Sequence, residues 1–96
     1  MCEYPSLNMK GPALSADNKA ALAMVATKLK ANPNCSIIVN GYPSTSKPSQ
    51  SQCQKRMDAI KTYLRDIEGI SADRITTNCQ YVKDADPNVI DIKCNQ

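Results

Sequence analysis

Apolar residues recur along this chain in two periods. From Ala16 to Ala31 the spacing is helical: Leu22, Val25, Ala26 and Leu29 stand at i, i+3, i+4 and i+7, which makes one face apolar. Ser15 precedes the run as an N-cap, and Asp17 falls in the first turn. Asn32-Pro33-Asn34 ends it, because a residue before proline avoids the α region. A second helical stripe, Cys53, Met57, Ile60, Leu64 and Ile67, predicts a helix from about Gln50 to Glu68, with Gly69 as its C′ residue. Between and around these helices the period drops to two. Tyr4 to Lys10 reads as a strand, with Leu7 and Met9 in one phase, and Gly11-Pro12 breaks it. Ser36 to Asn40 reads as another. Its run Ile37-Ile38-Val39 has no polar side, which suits a strand covered on both faces or one whose far face is partly shielded. Arg74 to Gln80 is the third strand, with Ile75, Thr77 and Cys79 in phase. Val89 to Cys94 is the fourth, with Ile90, Ile92 and Cys94 facing in and Asp91 and Lys93 facing out.

The order is therefore β-α-β-α-β-β. Crossovers through helices favour parallel pairing with right-handed connections, and the last strand has to return antiparallel. The expectation is an α/β (α+β) two-layer sandwich: a mixed four-stranded sheet with both helices on one face.

One stretch stands out chemically. Ile37-Ile38-Val39 runs into Gly41, then into the Ser- and Pro-rich segment 41–51, then into the second helix with Arg56 at the border of its apolar stripe. A strand, a glycine, a polar loop and a helix start in succession often make an anion-binding corner, because first-turn N–H groups lack intrahelical partners. Arg56 adds a planar, permanent cation suited to a carboxylate. The plain alternative is an ordinary strand-to-helix connection with a solvated arginine.

Composition narrows the chemistry. The 96 residues make one domain, residues 1–96, with 42% apolar and 22% charged residues, ordinary for a soluble fold. There is no Trp, Phe or His, so the core must be aliphatic with Ala, Met, Tyr and Cys filling in. Lacking His, the chain has neither the usual general base nor the commonest transition-metal ligand. It also has no nucleophile elbow and no phosphate-binding glycine loop, so catalysis is not expected and no cofactor is called for. A net charge of +3, on scattered lysines with few aromatics, does not point to nucleic acid. No apolar run approaches the roughly 18 residues of a membrane span. Asp84 and Asp86 read as a solvated turn rather than a calcium loop, since ligand count and glycine placement do not fit.

Five cysteines are dense for this length, and none forms a C-x-x-C pair, which argues against zinc. Disulfides in an oxidising compartment explain the count better; buried free thiols are the alternative, and the spacing selects no pairing. Cys2-Glu3-Tyr4-Pro5 follows Met1 with no secretion signal. Either the chain is cytosolic or it is a domain cut from a longer protein, and the cysteines favour the second.

Taken together, Leu22 through Leu29, Asn32-Pro33, Ile37-Ile38-Val39, and Gly41-Tyr42-Pro43-Ser44 resemble the first helix, second strand and ligand loop of OmpA-like domains, the peptidoglycan-binding modules of bacterial envelope proteins. Ser49, Gln52-Cys53, Arg56-Met57, Ile60 and Tyr63-Leu64 follow the family's helix signature, and Gly69-Ile70 with Arg74-Ile75 follows its next motif. The resemblance runs from about Tyr4 to Cys94. It implies a sheet in the order first, fourth, second, third strand. It also implies a non-catalytic envelope module, in the periplasm or at the outer membrane, excised from a larger envelope protein.

In that family an Asp in the loop and the helix Arg hold the zwitterionic end of diaminopimelate in the stem peptide. Arg56 stands at the Arg position, but Ser44 stands at the Asp position, Tyr42 at the His position and Ser49 at the Asn position. The loop is also shorter, and Pro87-Asn88-Val89 replaces an Asn-Arg-Arg run. Asp58 does not compensate, since two residues along a helix point apart. The implied ligand-binding set is Arg56, Ser44, Tyr42, Thr45 and Ser49. The implied partner is the peptidoglycan stem peptide or, if the module has lost that ligand, other envelope proteins. The resemblance also implies disulfides Cys2–Cys94 and Cys53–Cys79, leaving Cys35 free.

Overall fold

The computed structural model describes residues 4–95. Its elements are β1 (Leu7–Asn8), α1 (Ala16–Ala31), β2 (Ile37–Gly41), α2 (Lys47–Thr62), a π-helical turn (Tyr63–Ile67), a short 3-10 turn (Ala72–Arg74), β3 (Ile75–Cys79) and β4 (Val89–Cys94). The sheet order is β1-β4-β2-β3. β2 and β3 are parallel, while β4 lies antiparallel between β1 and β2. This is the expected mixed sheet with its last strand reversed.

The core lies between this sheet and the helices. Leu22, Val25, Ala26 and Leu29 of α1 and Cys53, Met57, Ile60 and Leu64 of the second helix meet Leu7, Met9, Ile37, Val39, Ile75, Ile90 and Ile92 from the strands. Ile38 is half-buried on the far face, so β2 has a partly shielded side rather than two covered ones. No helix among the described residues is long and apolar enough to cross a membrane.

The ends of α1 are set by side chains. Ser15 Oγ accepts from Asn18 N–H and Asn18 Oδ1 accepts from Ser15 N–H, both at 3.1 Å, closing a reciprocal cap. At the other end Arg74 donates to the carbonyls of Leu29, Asn32 and Cys35 at 2.7–2.8 Å. One guanidinium thus ties the last turn and cap of α1 to the segment leading into β2, and places a cation at the negative end of the helix dipole.

Three expectations need correction. The first strand is two residues rather than seven, although Leu7 and Met9 keep the expected buried phase. The second helix starts at Lys47, not Gln50: Ser46 is its N-cap and Pro48 sits in the first turn, where a missing N–H costs nothing. Ile67 is 68% exposed instead of core. The helix widens after Thr62, with Glu68 N–H reaching Tyr63 O, and the wider turn rotates Ile67 off the stripe. Gly69 then ends the helix at φ 76°, the left-handed conformation expected of a C′ glycine, and Ile70 N–H closes onto Leu64 O.

Gly41 serves a different purpose. It ends β2 beneath the second helix, where an added Cβ would lie 2.5 Å from Cys53 Sγ and 2.8 Å from Met57 Cε. Met57 can swing its terminal methyl aside, but Cys53 is covalently bonded to Cys79 and cannot. Gly41→Ala is expected to destabilise the fold by about 1–3 kcal/mol, the usual cost of overpacking. A urea midpoint unchanged from wild type would show that the helix can lift off the strand at no cost.

Candidate functional site

The serine-rich segment after β2 is stitched onto the start of α2. Ser46 Oγ accepts from Ser49 N–H at 3.3 Å, and Ser49 Oγ accepts from Ser44 N–H at 2.8 Å. The Ser44 and Ser46 hydroxyls are 3.1 Å apart, and Gln50 Nε2 donates to Thr45 O at 3.4 Å. Short polar side chains are favoured here because they satisfy the backbone groups that a helix start leaves open.

Arg56 lies deeper. It is 3% exposed, and three N–H groups are committed: Nε to Gly11 O at 3.1 Å, Nη1 to Pro87 O at 2.8 Å, and Nη2 to Asn88 Oδ1 at 3.2 Å. It therefore ties the segment after β1 and the loop before β4 to α2. No carboxylate among the described residues pairs with it. Burial pulls its pKa down, yet a guanidinium starts so high that it stays charged. Asp58 instead accepts from Gln54 at 3.2 Å, one turn back along the helix.

Beside this arginine is an open cleft of about 550 Å³ between Pro12 and the first turns of α2, lined there by Pro48, Ser49, Ser51, Gln52 and Lys55. Arg56 does not line it, but its partner Gly11 adjoins Pro12 in the wall. The cleft offers hydroxyls, an amide, one exposed ammonium and no carboxylate. An anionic group placed there would meet Lys55 and lie near the positive end of the α2 dipole.

The structure brings Ser44 and Ser49 together and puts Ser49 in the cleft wall. Thr45 is exposed, with its carbonyl held by Gln50. Tyr42 turns to the open face of the sheet, where its hydroxyl donates to Asp91 Oδ2 at 2.7 Å and Ser6 donates to Oδ1 at 3.0 Å. Pro12, Pro48, Ser51, Gln52, Lys55 and Asp91 lie outside the ligand-binding set expected from the sequence. Pro48, Ser51, Gln52 and Lys55 share one face at i, i+3, i+4 and i+7, a signal visible once the helix start is placed at Ser46.

The bond to Asp91, with burial and the negative charge beside it, pushes the Tyr42 phenol up to about 12. An unfolded tyrosine titrates near 10, so the neutral form contributes stability that is full below about pH 10 and lost between about 10 and 12. Wild type should lose stability relative to Tyr42→Phe across that window in urea melts. Parallel curves would contradict the bond.

Of the cysteines, Cys53 and Cys79 are bridged and Cys35 is free. The pairing of Cys2 with Cys94 falls on Cys2, outside the described residues.

Two helices on one face of a β1-β4-β2-β3 sheet, with a serine-rich corner over the end of β2, define an OmpA-like fold. The comparisons agree. The chain is similar to the OmpA-like domain of FopA1 from Francisella tularensis, with a TM-score of 0.74 and 20% identity over 95% of this chain and 74% of that one. It is also similar to the peptidoglycan-associated lipoprotein of Burkholderia pseudomallei, with a TM-score of 0.75 and 18% identity over 94% of this chain and 89% of that one. No family model matches the sequence, and no curated protein matches it.

Proposed function

We propose that this chain is a non-catalytic module of the bacterial envelope that binds peptidoglycan through the corner formed by the 41–51 segment and α2. The observation that carries the reading is the cleft at the start of α2, set in a fold shared with a peptidoglycan-associated lipoprotein. In this reading Lys55 and the hydroxyls of Ser49 and Ser51 receive a carboxylate of the stem peptide. Arg56 contributes positive potential from behind the wall and holds the wall in place. With Ser44 where an acid would meet the ammonium of diaminopimelate, one charge-assisted bond is missing, which weakens binding by roughly 1.5–3 kcal/mol.

The test is retention of the folded domain by purified sacculi, with NMR titration by diaminopimelate and a stem-peptide fragment. Shifts clustered from Ser44 to Lys55, and reduced in Lys55→Glu, are the expected result. Lys55 is exposed, so that variant keeps its fold. Absence of retention and of shifts at millimolar ligand would overturn the reading.

A second reading draws on Arg56 itself. Its N–H groups are spent on its own chain, and the loop lacks an acid, which favours a fold kept as a structural or protein-interaction module of the envelope. That reading predicts no retention by sacculi and capture of envelope proteins instead.

A further inference from the structure

The sheet has two edges, and the chain closes one of them. β1 is two residues long, and Asn18, 5% exposed, donates its side-chain amide to Asn8 O at 3.2 Å. That plugs the β1 edge with a side chain from α1. β3 has no such cover. Its ladder runs to β2 alone, and Gln80 N–H donates to Gly41 O at 3.0 Å. Alternation along a parallel ladder then turns the N–H and C=O groups of Thr77 and Cys79 outward. No main-chain hydrogen bond among the described residues meets them.

Exposed edges are normally blunted by lysine, proline, a bulge or a very short strand. From Ile75 to Val82 this chain carries no charge, no proline and no glycine. Ile75, Thr76 and Thr77 are β-branched and suit a pleated ladder. Beyond the strand, Tyr81 and Val82 stand 52% and 45% exposed.

We propose that the β3 edge pairs with β3 of a second copy of this chain. The two strands run antiparallel about a twofold axis at Thr77, and the two four-stranded sheets become one. A twofold edge contact has to be antiparallel and self-complementary, and this stretch is. Thr77 meets its own counterpart, Ile75 faces Cys79 of the partner subunit, and Thr76 faces Asn78 of the partner subunit. No like charges oppose each other within the paired residues. In this register Asp73 falls opposite Tyr81 of the partner subunit, two residues short of Lys83 of the partner subunit, so these opposite charges are diagonal neighbours at each end of the contact. The same contact covers Tyr81 and Val82. A second copy fits this pattern of charge at both ends and none between.

The test uses the full chain in sedimentation equilibrium from about 10 μM to 1 mM. Wild type is expected to dimerise within this range. Thr76 and Asn78 are exposed and lie opposite one another across the contact, so paired charges there read out the register. The double variant Thr76→Lys/Asn78→Lys sets like charges face to face and should raise the dissociation constant about tenfold or more. Thr76→Lys/Asn78→Glu sets opposite charges face to face and should keep the dimer. Circular dichroism confirms that each variant is folded. A wild type that stays monomeric throughout, or a dimer that the lysine pair leaves unchanged, overturns the proposal.

Discussion

Arg56→Met is expected to lower the folding stability by about 3 kcal/mol. Methionine replaces much of the buried stem, so the loss comes from the head group. Three charge–dipole hydrogen bonds disappear, and the carbonyls of Gly11 and Pro87 lose the donors that hold them. Each such bond is worth about 1.5–3 kcal/mol, but the substitution also relieves the cost of keeping a cation out of water. The balance leaves a loss below the plain sum of three bonds. Arg56→Lys should recover less than half of it, because one ammonium cannot reach three acceptors set at the angles of a planar fork. Urea denaturation of the three proteins gives the comparison. Stability within about 0.5 kcal/mol of wild type in Arg56→Met would mean that the arginine does not hold the two loops together. The expected loss is also why a binding test belongs on Lys55: a destabilised Arg56 variant would lose ligand for reasons unrelated to contact.

The chain declares its helices and strands wherever local chemistry and burial agree. α1 was legible to the residue, because Ser15, an apolar stripe at helical spacing and Asn32-Pro33 all mark the same boundaries. β4 was legible because its alternation is strict and its inward residues are large. The start of α2 was not, since Lys47-Pro48-Ser49-Gln50-Ser51 carries little apolar signal, and serine and proline serve loops as well as first turns. Nor was the widened turn at Tyr63–Ile67, because a stripe extrapolated at 3.6 residues per turn cannot register an extra residue. The site divides in the same way. Arg56 was visible as a cation at the edge of an apolar stripe. Its acceptors were not, since Gly11, Pro87 and Asn88 are 31 to 45 residues away and carbonyls leave no trace in a sequence. Tyr42 enters the ligand set only through the resemblance, which puts it at the family's His position. In the fold it continues the alternation of β2 onto the open face and meets Asp91, 49 residues on.

Replacing Cys53 and Cys79 together by alanine is expected to cost about 3 kcal/mol and lower the melting temperature by about 15 °C. The bridge spans 26 residues, and opening a loop of that size frees the unfolded chain by roughly 3.5 kcal/mol in the loop-entropy account. Its position concentrates the effect. β3 is an edge strand whose main-chain ladder reaches only β2, and the bridge is its covalent tie to α2 at the end where the cleft opens. Amide exchange should therefore quicken in β3 and the first turns of α2 more than in α1, whose cap and Arg74 anchor are untouched. A uniform change across the chain would argue for a purely global effect through the unfolded state. The bridge also sits against Gly41, and that yields a sharper check. In the wild type, an alanine at position 41 meets a sulfur that cannot move. With the bridge removed, that contact is gone; the tight neighbour left is the mobile Met57 methyl, and Ile90 Cδ1 at 3.5 Å is an ordinary contact. Gly41→Ala should then cost at least about 1 kcal/mol less in the bridge-free background than in the wild type, a coupling read directly from a double-mutant cycle. Equal costs in both backgrounds would show that the sulfur is not what excludes a side chain from position 41.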